Sequence, residues 1–360
     1  MYSVSPLSKL SQATSLSGSI KLLQQDVSRR AVIKALAGLA VMGVEGELVA
    51  CSSENITSPA VPTGVELYTY TGHSDIVYAA AWSRDGRYIA SGGADQTVQI
   101  WNAVDGVLQS TYQHQDTVTA VAWSPDGTYV ASGGDNDKAY VWDTTSTTKK
   151  PFSKYDGGGH LWGLEWSPDG QFIALGVGSG KNEVRIYDTN NKKLQQTCES
   201  HYEEIWNVSW SPDGRYITAA SQDKAVQVFD VKNGENRLTF KLHKGLVWGV
   251  SWSPDGNYIA SGGFDNKIFV WNAKDGHVIF TGEHSDIVYD VAWSPDGTYI
   301  TSASRDRQVK VWDTSKKSNV AIASYDGHWG PVYRNSWSPE GKRIVSAYRD
   351  GVVQIWKLPF

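Results

Sequence analysis

His284-Ser285-Asp286-Ile287-Val288-Tyr289-Asp290-Val291-Ala292-Trp293-Ser294-Pro295-Asp296-Gly297-Thr298-Tyr299-Ile300-Thr301-Ser302-Ala303-Ser304-Arg305-Asp306-Arg307-Gln308-Val309-Lys310-Val311-Trp312-Asp313 is the stretch from which nearly all of the chain after residue 65 is copied. Three short strands are legible in it. Residues 287–294 alternate apolar and small side chains around Val288, Val291 and Trp293; residues 299–302 are a second apolar run; residues 308–313 set Val309 and Val311 against Gln308, Lys310 and Trp312. Pro295 presets its own φ, Asp296 tolerates the next turn position and Gly297 accepts a positive φ, so the first two strands are joined by a tight turn. Strand, turn, strand, loop, strand is a meander.

Working outward, a tryptophan closes the first strand at Trp82, Trp123, Trp166, Trp210, Trp252, Trp293 and Trp337, at intervals of 41 to 44 residues. Seven copies follow. In six of them an aromatic residue lies 19 positions later (Trp101, Trp142, Phe229, Trp271, Trp312, Trp356); in the third the gap is 21 and the residue is Tyr187. A period of about 40 to 45 residues with four strands per unit belongs to propeller blades, and the helix-period stripes of helical repeats are absent.

These residues resemble the WD40 repeat family. The resemblance is carried by the His pairs (Gly72-His73, Glu283-His284, Gly327-His328), by the Trp-Ser-Pro-Asp-Gly turn, and by the closing Trp142-Asp143, Trp312-Asp313, Trp101-Asn102 and Trp271-Asn272, and it covers residues 65–360. It implies an all-β, seven-bladed propeller of four-stranded antiparallel blades. It also implies that residues 65–70 supply the outermost strand of the last blade, so that the two ends of the chain close the ring and hide the edges an open array would expose.

Composition narrows the function. Sixteen Trp and eighteen Tyr suit stacked sheets with wedge-shaped gaps between them. A net charge of -5 and a pI of about 5.9 lack the basic footprint of a nucleic-acid binder. The two cysteines, Cys51 and Cys198, make no disulfide framework.

Residues 1–27 show no sustained period. Ser28-Arg29-Arg30-Ala31-Val32-Ile33-Lys34, the apolar run 35–44 and Leu48-Val49-Ala50-Cys51 together resemble a bacterial twin-arginine export signal ending in a lipoprotein box, with Cys51 as the lipidated residue. Residues 1–50 are then a leader, 51–64 a tether and 65–360 the ring, giving an extracytoplasmic protein that meets a membrane only through its lipid. The other reading is a cytoplasmic protein with a disordered tail and an ordinary Cys51.

The family's structural tetrad joins a His, a Ser or Thr, an Asp and a Trp within each blade. It is complete as His73, Ser91, Asp95 and Trp101; as His243, Ser261, Asp265 and Trp271; as His284, Ser302, Asp306 and Trp312; and as His328, Ser346, Asp350 and Trp356. Copy two has Asn136 in the Asp slot. Copy four has Ala219 and Phe229, and copy three has lost the set, with Gly157 and Tyr187, so blade three is expected to be the least rigid.

Little else suggests chemistry. His160 and His277 fall outside the tetrads and have no partner at metal-ligand spacing. Gly178-Ser179-Gly180-Lys181 is similar to a phosphate loop, but Asn182 stands where Ser or Thr is needed and a strand follows. Asp135, Asn136 and Asp137 read as a turn, and the Ser-Pro-Asp-Gly serines as turn residues. No cofactor, metal or catalysis is expected.

One position stands out, five residues after the His slot, where the seven copies carry Tyr78, Thr119, Trp162, Trp206, Trp248, Tyr289 and Tyr333. By the resemblance this position lines the top rim of the central channel on a bulge that turns its side chain outward. Two further sets share that rim: Ile76, Thr117, His160, Glu204, Leu246, Ile287 and Pro331; and Ala94, Asp135, Gly180, Gln222, Phe264, Arg305 and Arg349. Six half-exposed rings would present on the order of 500 Å² of apolar surface, comparable to the largest patch on a typical monomer.

The expectation is a non-catalytic, monomeric scaffold that binds a protein or peptide. Its anchors are Tyr78, Trp162, Trp206, Trp248, Tyr289 and Tyr333, with Phe264, Ile76, Leu246 and Ile287 beside them and Arg305, Arg349 and Glu204 as orienting charges. Two alternatives use the same rim. A carbohydrate or quaternary ammonium group would stack on the rings, and a lactonase-like hydrolase would need Glu204, Asp135 and His160 to converge.

Overall fold

The turn that joins the first two strands of each copy is locked by its own side chains. In the sixth copy Ser294 Oγ donates to Asp296 Oδ1 at 2.6 Å, the Thr298 amide donates to the same oxygen at 3.0 Å, and the Tyr299 amide donates to Ser294 Oγ at 2.8 Å, while Gly297 takes φ +71°. The serine-to-aspartate bond recurs from Ser83, Ser124, Ser167, Ser211 and Ser253. Each turn therefore fixes the register of its hairpin, and with it the face on which every side chain falls.

The computed structural model describes residues 61–199, 201–327 and 329–360. The expected leader, most of the tether and Cys51 lie outside the described residues. Seven four-stranded antiparallel sheets follow one another, beginning with the inner strands Val77–Trp82, Val118–Trp123, Leu161–Trp166, Ile205–Trp210, Val247–Trp252, Val288–Trp293 and Val332–Trp337, and these number the blades one to seven. Each inner strand packs against the next, and that of blade seven packs against that of blade one, so the array closes as the sequence implied.

The core is divided into slabs between blades. One slab joins Leu161, Leu164, Ile173 and Val177 of blade three to Ala131, Ala139 and Val141 of blade two. Indole N–H groups stitch neighbouring blades: Trp123 donates to the Ala81 carbonyl at 3.2 Å and Trp82 to the Ser336 carbonyl at 3.2 Å, the second across the ring closure.

The closure is double. Residues Val65–Tyr70 (β1) pair antiparallel with Val353–Lys357, completing blade seven. Just before them, Thr63 bridges to Ser324 of blade six: the Gly64 amide donates to the Ser324 carbonyl at 2.8 Å and the Ser324 amide to the Pro62 carbonyl at 3.0 Å. One short segment thus clamps two blades.

The tetrads hold where the sequence is complete. His284 lies 2.8 Å from Asp306 and 2.7 Å from Ser302 Oγ, which accepts the Trp312 N–H at 2.8 Å. His73 and His243 repeat the pattern. In blade seven Trp356 donates to Ser346 at 3.0 Å, and His328 falls outside the described residues. Blade three substitutes its own fastening, in which the Tyr187 hydroxyl donates to the Asp156 carbonyl of blade two at 2.6 Å and Arg185 Nη1 to the same carbonyl at 3.1 Å.

Candidate functional site

Every inner strand carries a register shift at one place: between Val77 and Ala79, Val118 and Ala120, Leu161 and Gly163, Ile205 and Asn207, Val247 and Gly249, Val288 and Asp290, and Val332 and Arg334. The residue left over in each bulge is Tyr78, Thr119, Trp162, Trp206, Trp248, Tyr289 or Tyr333. An extra residue re-aims its side chain out of the sheet's alternation. Here that direction is into the mouth of the channel on the side where each outer strand leads to the next blade, which we call the upper face.

The rings meet there. Tyr78 packs on Tyr333 with centroids 5.2 Å apart, Tyr333 on Tyr289 at 5.2 Å, Tyr289 on Trp248 at 5.0 Å, Trp248 on Trp206 at 4.3 Å and Trp206 on Trp162 at 4.8 Å. Thr119 completes the circle, its hydroxyl donating to the Leu161 carbonyl of the next blade. Tilted and edge-on contacts of this kind are the arrangements aromatic quadrupoles favour.

The expectation that these rings stand open to solvent is corrected. Trp206 is 0% exposed, and Tyr78, Trp162, Trp248 and Tyr289 are all below 9%. The bulge turns six large rings toward one axis; five are buried by their neighbours and Tyr333 is half-buried, so they do not form an open crown. Burial pushes the Tyr78 and Tyr289 hydroxyls well above the ordinary phenol range. Among the described residues the indole N–H groups of Trp162 and Trp206 have no hydrogen-bond partner.

The other rim residues lie above and around this plug. Phe264 stacks on Trp248 at 5.8 Å with an interplanar angle of 3° and is half-buried, like Leu246 and Ile287. Ile76 is buried, Arg349 is half-buried and Arg305 is exposed. The sequence reading missed the most open large apolar side chains on this face: Trp329 is 90% exposed, Tyr202 83% and Leu242 56%. The signal was present. Tyr202 and Trp329 follow the His slot, where other copies have Ser74, Gln115, Lys244 and Ser285.

Below the plug the channel narrows onto small residues. A Cβ on Gly163 would come within 2.8 Å of the Asn207 Cα, and one on Gly249 within 2.7 Å of the Asp290 Cα, so the inner strands approach as closely as they do because no side chain intervenes. Three charges break that pattern in a cavity of about 310 Å³. Arg334 reaches the Asp290 carboxylate at 3.2 Å with one nitrogen and crosses to the Trp162 carbonyl with the other at 3.1 Å, while Asp290 also accepts the Asn335 amide at 2.9 Å. Glu165 accepts the Trp210 amide at 2.7 Å, and burial pushes its carboxyl up to about 7 against the pull of that amide and of Arg334. With its hydrogen bonds satisfied, the Arg334–Asp290 pair braces blades three, six and seven.

His160 and Glu204 both lie within electrostatic reach of Asp135, and among the described residues no group of three His, Cys, Asp or Glu is placed to hold a metal ion.

Comparison with known proteins agrees with this geometry. A family profile described as "WDR19 first beta-propeller" matches residues 78–245, and the profile "WD domain, G-beta repeat" matches residues 234–272, 276–313 and 319–357. The chain is similar to an uncharacterized WD repeat-containing protein of Synechocystis, 34% identical over 95 residues, or 26% of this chain and 27% of that protein. It is also similar to the intraflagellar transport protein 122 homolog of Xenopus tropicalis, 31% identical over 67 residues, or 18% of this chain and 6% of that protein. The chain therefore matches about a quarter or less of the length of these relatives, and it carries WD40 repeats on a seven-bladed propeller.

Proposed function

We propose that this WD-repeat propeller is a non-catalytic scaffold whose upper face captures a segment of a partner protein. The observation that carries the reading is the sealed mouth. Six rings in mutual contact floor the mouth of the channel, edged by half-buried Leu246, Phe264 and Ile287 and by the exposed Trp329 and Tyr202. Exposed tryptophan and tyrosine beside arginine are the residue types that dominate binding energy at protein interfaces. The plug then acts as a rigid floor, and the anchors are the open side chains above it.

Export and lipid tethering through Cys51 complete the proposal and are supported by the Arg29-Arg30 pair, the apolar run after it and the small residues before the cysteine. A photo-cross-linking residue placed at Trp329 or Arg349, in the cells that make the protein, is expected to trap the same discrete partner. The same residue at Lys316 or Asp213, in lower-face turns, is expected to trap none. Equal adducts from the lower positions would contradict the assignment.

A further inference from the structure

The charges around the upper mouth are sorted into two arcs. Blades two to four hold Asp116, Asp135, Asp137 and Glu204, with His160 among them. The Asp135 carboxyl is held above the ordinary carboxylate range, first because burial strips its water and then because Asp116, Asp137 and Glu204 repel its charge, with His160 opposing them. Its Oδ1 is buried and has no hydrogen-bond partner among the described residues. Neighbouring acids are occupied differently, Asp116 by the Thr117 amide at 2.8 Å and Glu204 by the Ser179 amide at 3.3 Å. Lys138, in the same blade as Asp135, is paired with Asp156 at 2.7 Å.

Blades six and seven hold Arg305 and Arg349. Arg305 sits 3.7 Å from the Asp286 carboxylate with both side chains more than 40% open, and Arg349 makes no ion pair among the described residues. Both guanidinium groups act on the Tyr333 hydroxyl beneath them. Between the arcs lie blade one, where the Tyr78 hydroxyl feels Asp135 and Asp75 on one hand and Arg349 on the other, and blade five, where Leu246 and Phe264 cover Trp248 and the exposed Lys244 is the nearby charge.

We propose that the platform takes an extended peptide segment bearing a basic and an acidic side chain on opposite sides of an apolar one, the basic group pairing with Asp135 and Glu204, the acidic group with Arg305 and Arg349, and the apolar group resting on Leu246 and Phe264. This rests on the docking function proposed above and adds the chemistry of the occupant. A lysine or arginine at the acidic arc meets the combined negative charge of Asp135 and Glu204, and a charge-assisted bond to a carboxylate is among the stronger ones a surface can offer. A segment carrying one sign of charge throughout would place a like charge against one arc and be rejected, which supplies specificity as well as affinity. Because the charges are partly open, binding falls as salt rises.

The test is selection of random nine-residue displayed peptides against the full chain, followed by affinity measurements on synthetic copies of the enriched sequences. Enriched peptides are expected to carry Lys or Arg and Asp or Glu flanking an apolar residue, and Arg349→Glu is expected to weaken them by about ten-fold or more. The double variant Glu204→Lys with Arg349→Glu, folded by circular dichroism and thermal unfolding, is expected to prefer peptides with the two charged positions exchanged. Enrichment without that charge order, or an unchanged preference in the double variant, overturns the bipolar assignment and leaves docking on this face standing. Failure to enrich any peptide, or enriched peptides that bind Trp329→Ala, Arg305→Ala and Arg349→Ala as well as the native chain, overturns both.

Discussion

At His114 one substitution decides the chemistry of a whole blade. Its Nε2 pairs with Ser132 at 2.7 Å, and Ser132 also accepts the Trp142 N–H at 2.7 Å, but Asn136 stands in the aspartate slot and donates to the Tyr140 hydroxyl at 3.2 Å, leaving His114 Nδ1 buried without a partner. Burial without a carboxylate pushes this imidazole down to about 4. A histidine depressed in the folded state contributes stability that is complete above its unfolded value, near 6.5, and is lost as pH falls toward 4. Asn136→Asp restores the carboxylate, so it should stabilise the ring by about 1 kcal/mol at neutral pH and flatten the loss on acidification. Denaturation midpoints at about pH 7 and pH 4.5 check this; an equal acid loss in both proteins would count against it. His201 is the complementary case, keeping Asp223 at 2.8 Å but losing the Nε2 contact because Ala219 and Phe229 replace the serine and tryptophan. The channel tryptophans carry the opposite lesson. On sequence alone Trp206→Ala reads as a binding variant that leaves the fold intact, but a fully buried ring packed on Trp162 and Trp248 is part of the core. Its truncation should cost about 3 to 5 kcal/mol of stability, read as a lowered denaturation midpoint; a midpoint within error of the native chain would contradict the plug.

Among the elements, the amino-terminal strand matters most. Its Val65–Tyr70 stretch completes blade seven, the Tyr325 hydroxyl of blade six donates to Glu66 at 3.1 Å, and residues 62–64 fasten to Ser324, so the strand binds the last two blades together. Deleting residues 61–70 should leave the edge at Val353–Lys357 unpaired and convert a sharply unfolding ring into one that opens at lower denaturant and self-associates more. Size-exclusion chromatography and urea unfolding report both, and an unchanged midpoint would refute the clamp. The pairing itself was legible, because the seventh copy ends after its third strand and residues 65–70 have no blade of their own. The bridge to blade six was not, since nothing in Pro62-Thr63-Gly64 distinguishes a bridging segment from a tether. Blade three shows the same limit. Loss of its tetrad is plain in Gly157 and Tyr187, but the replacement bonds from Tyr187 and Arg185 to the Asp156 carbonyl depend on a strand of the neighbouring blade.

For the whole molecule, repeats made the architecture readable from spacing alone, because each Trp-Ser-Pro-Asp-Gly turn sets a register that can be counted. The direction of the ring at the bulge came only from the resemblance to WD40 repeats, and its surroundings were not legible. Whether seven side chains around an axis stand apart or bury one another depends on how closely the inner strands approach, and that distance is set by residues such as Gly163 and Gly249 facing the neighbouring backbone. The charged brace of Arg334, Asp290 and Glu165 escaped notice for a related reason: each charge is isolated in its own copy, and only closure of the ring brings blades three, six and seven to one cavity. The result is a wheel with an aromatic hub, a braced polar channel beneath it and an upper face whose open residues include Trp329, Tyr202 and Arg305. Hydroxyl-radical footprinting of the free chain, read tryptophan by tryptophan, tests this most directly. Trp329 should be oxidised fastest and Trp162, Trp206 and Trp248 should stay among the most protected; oxidation of those three at a rate matching Trp329 would show an open crown in place of the sealed platform.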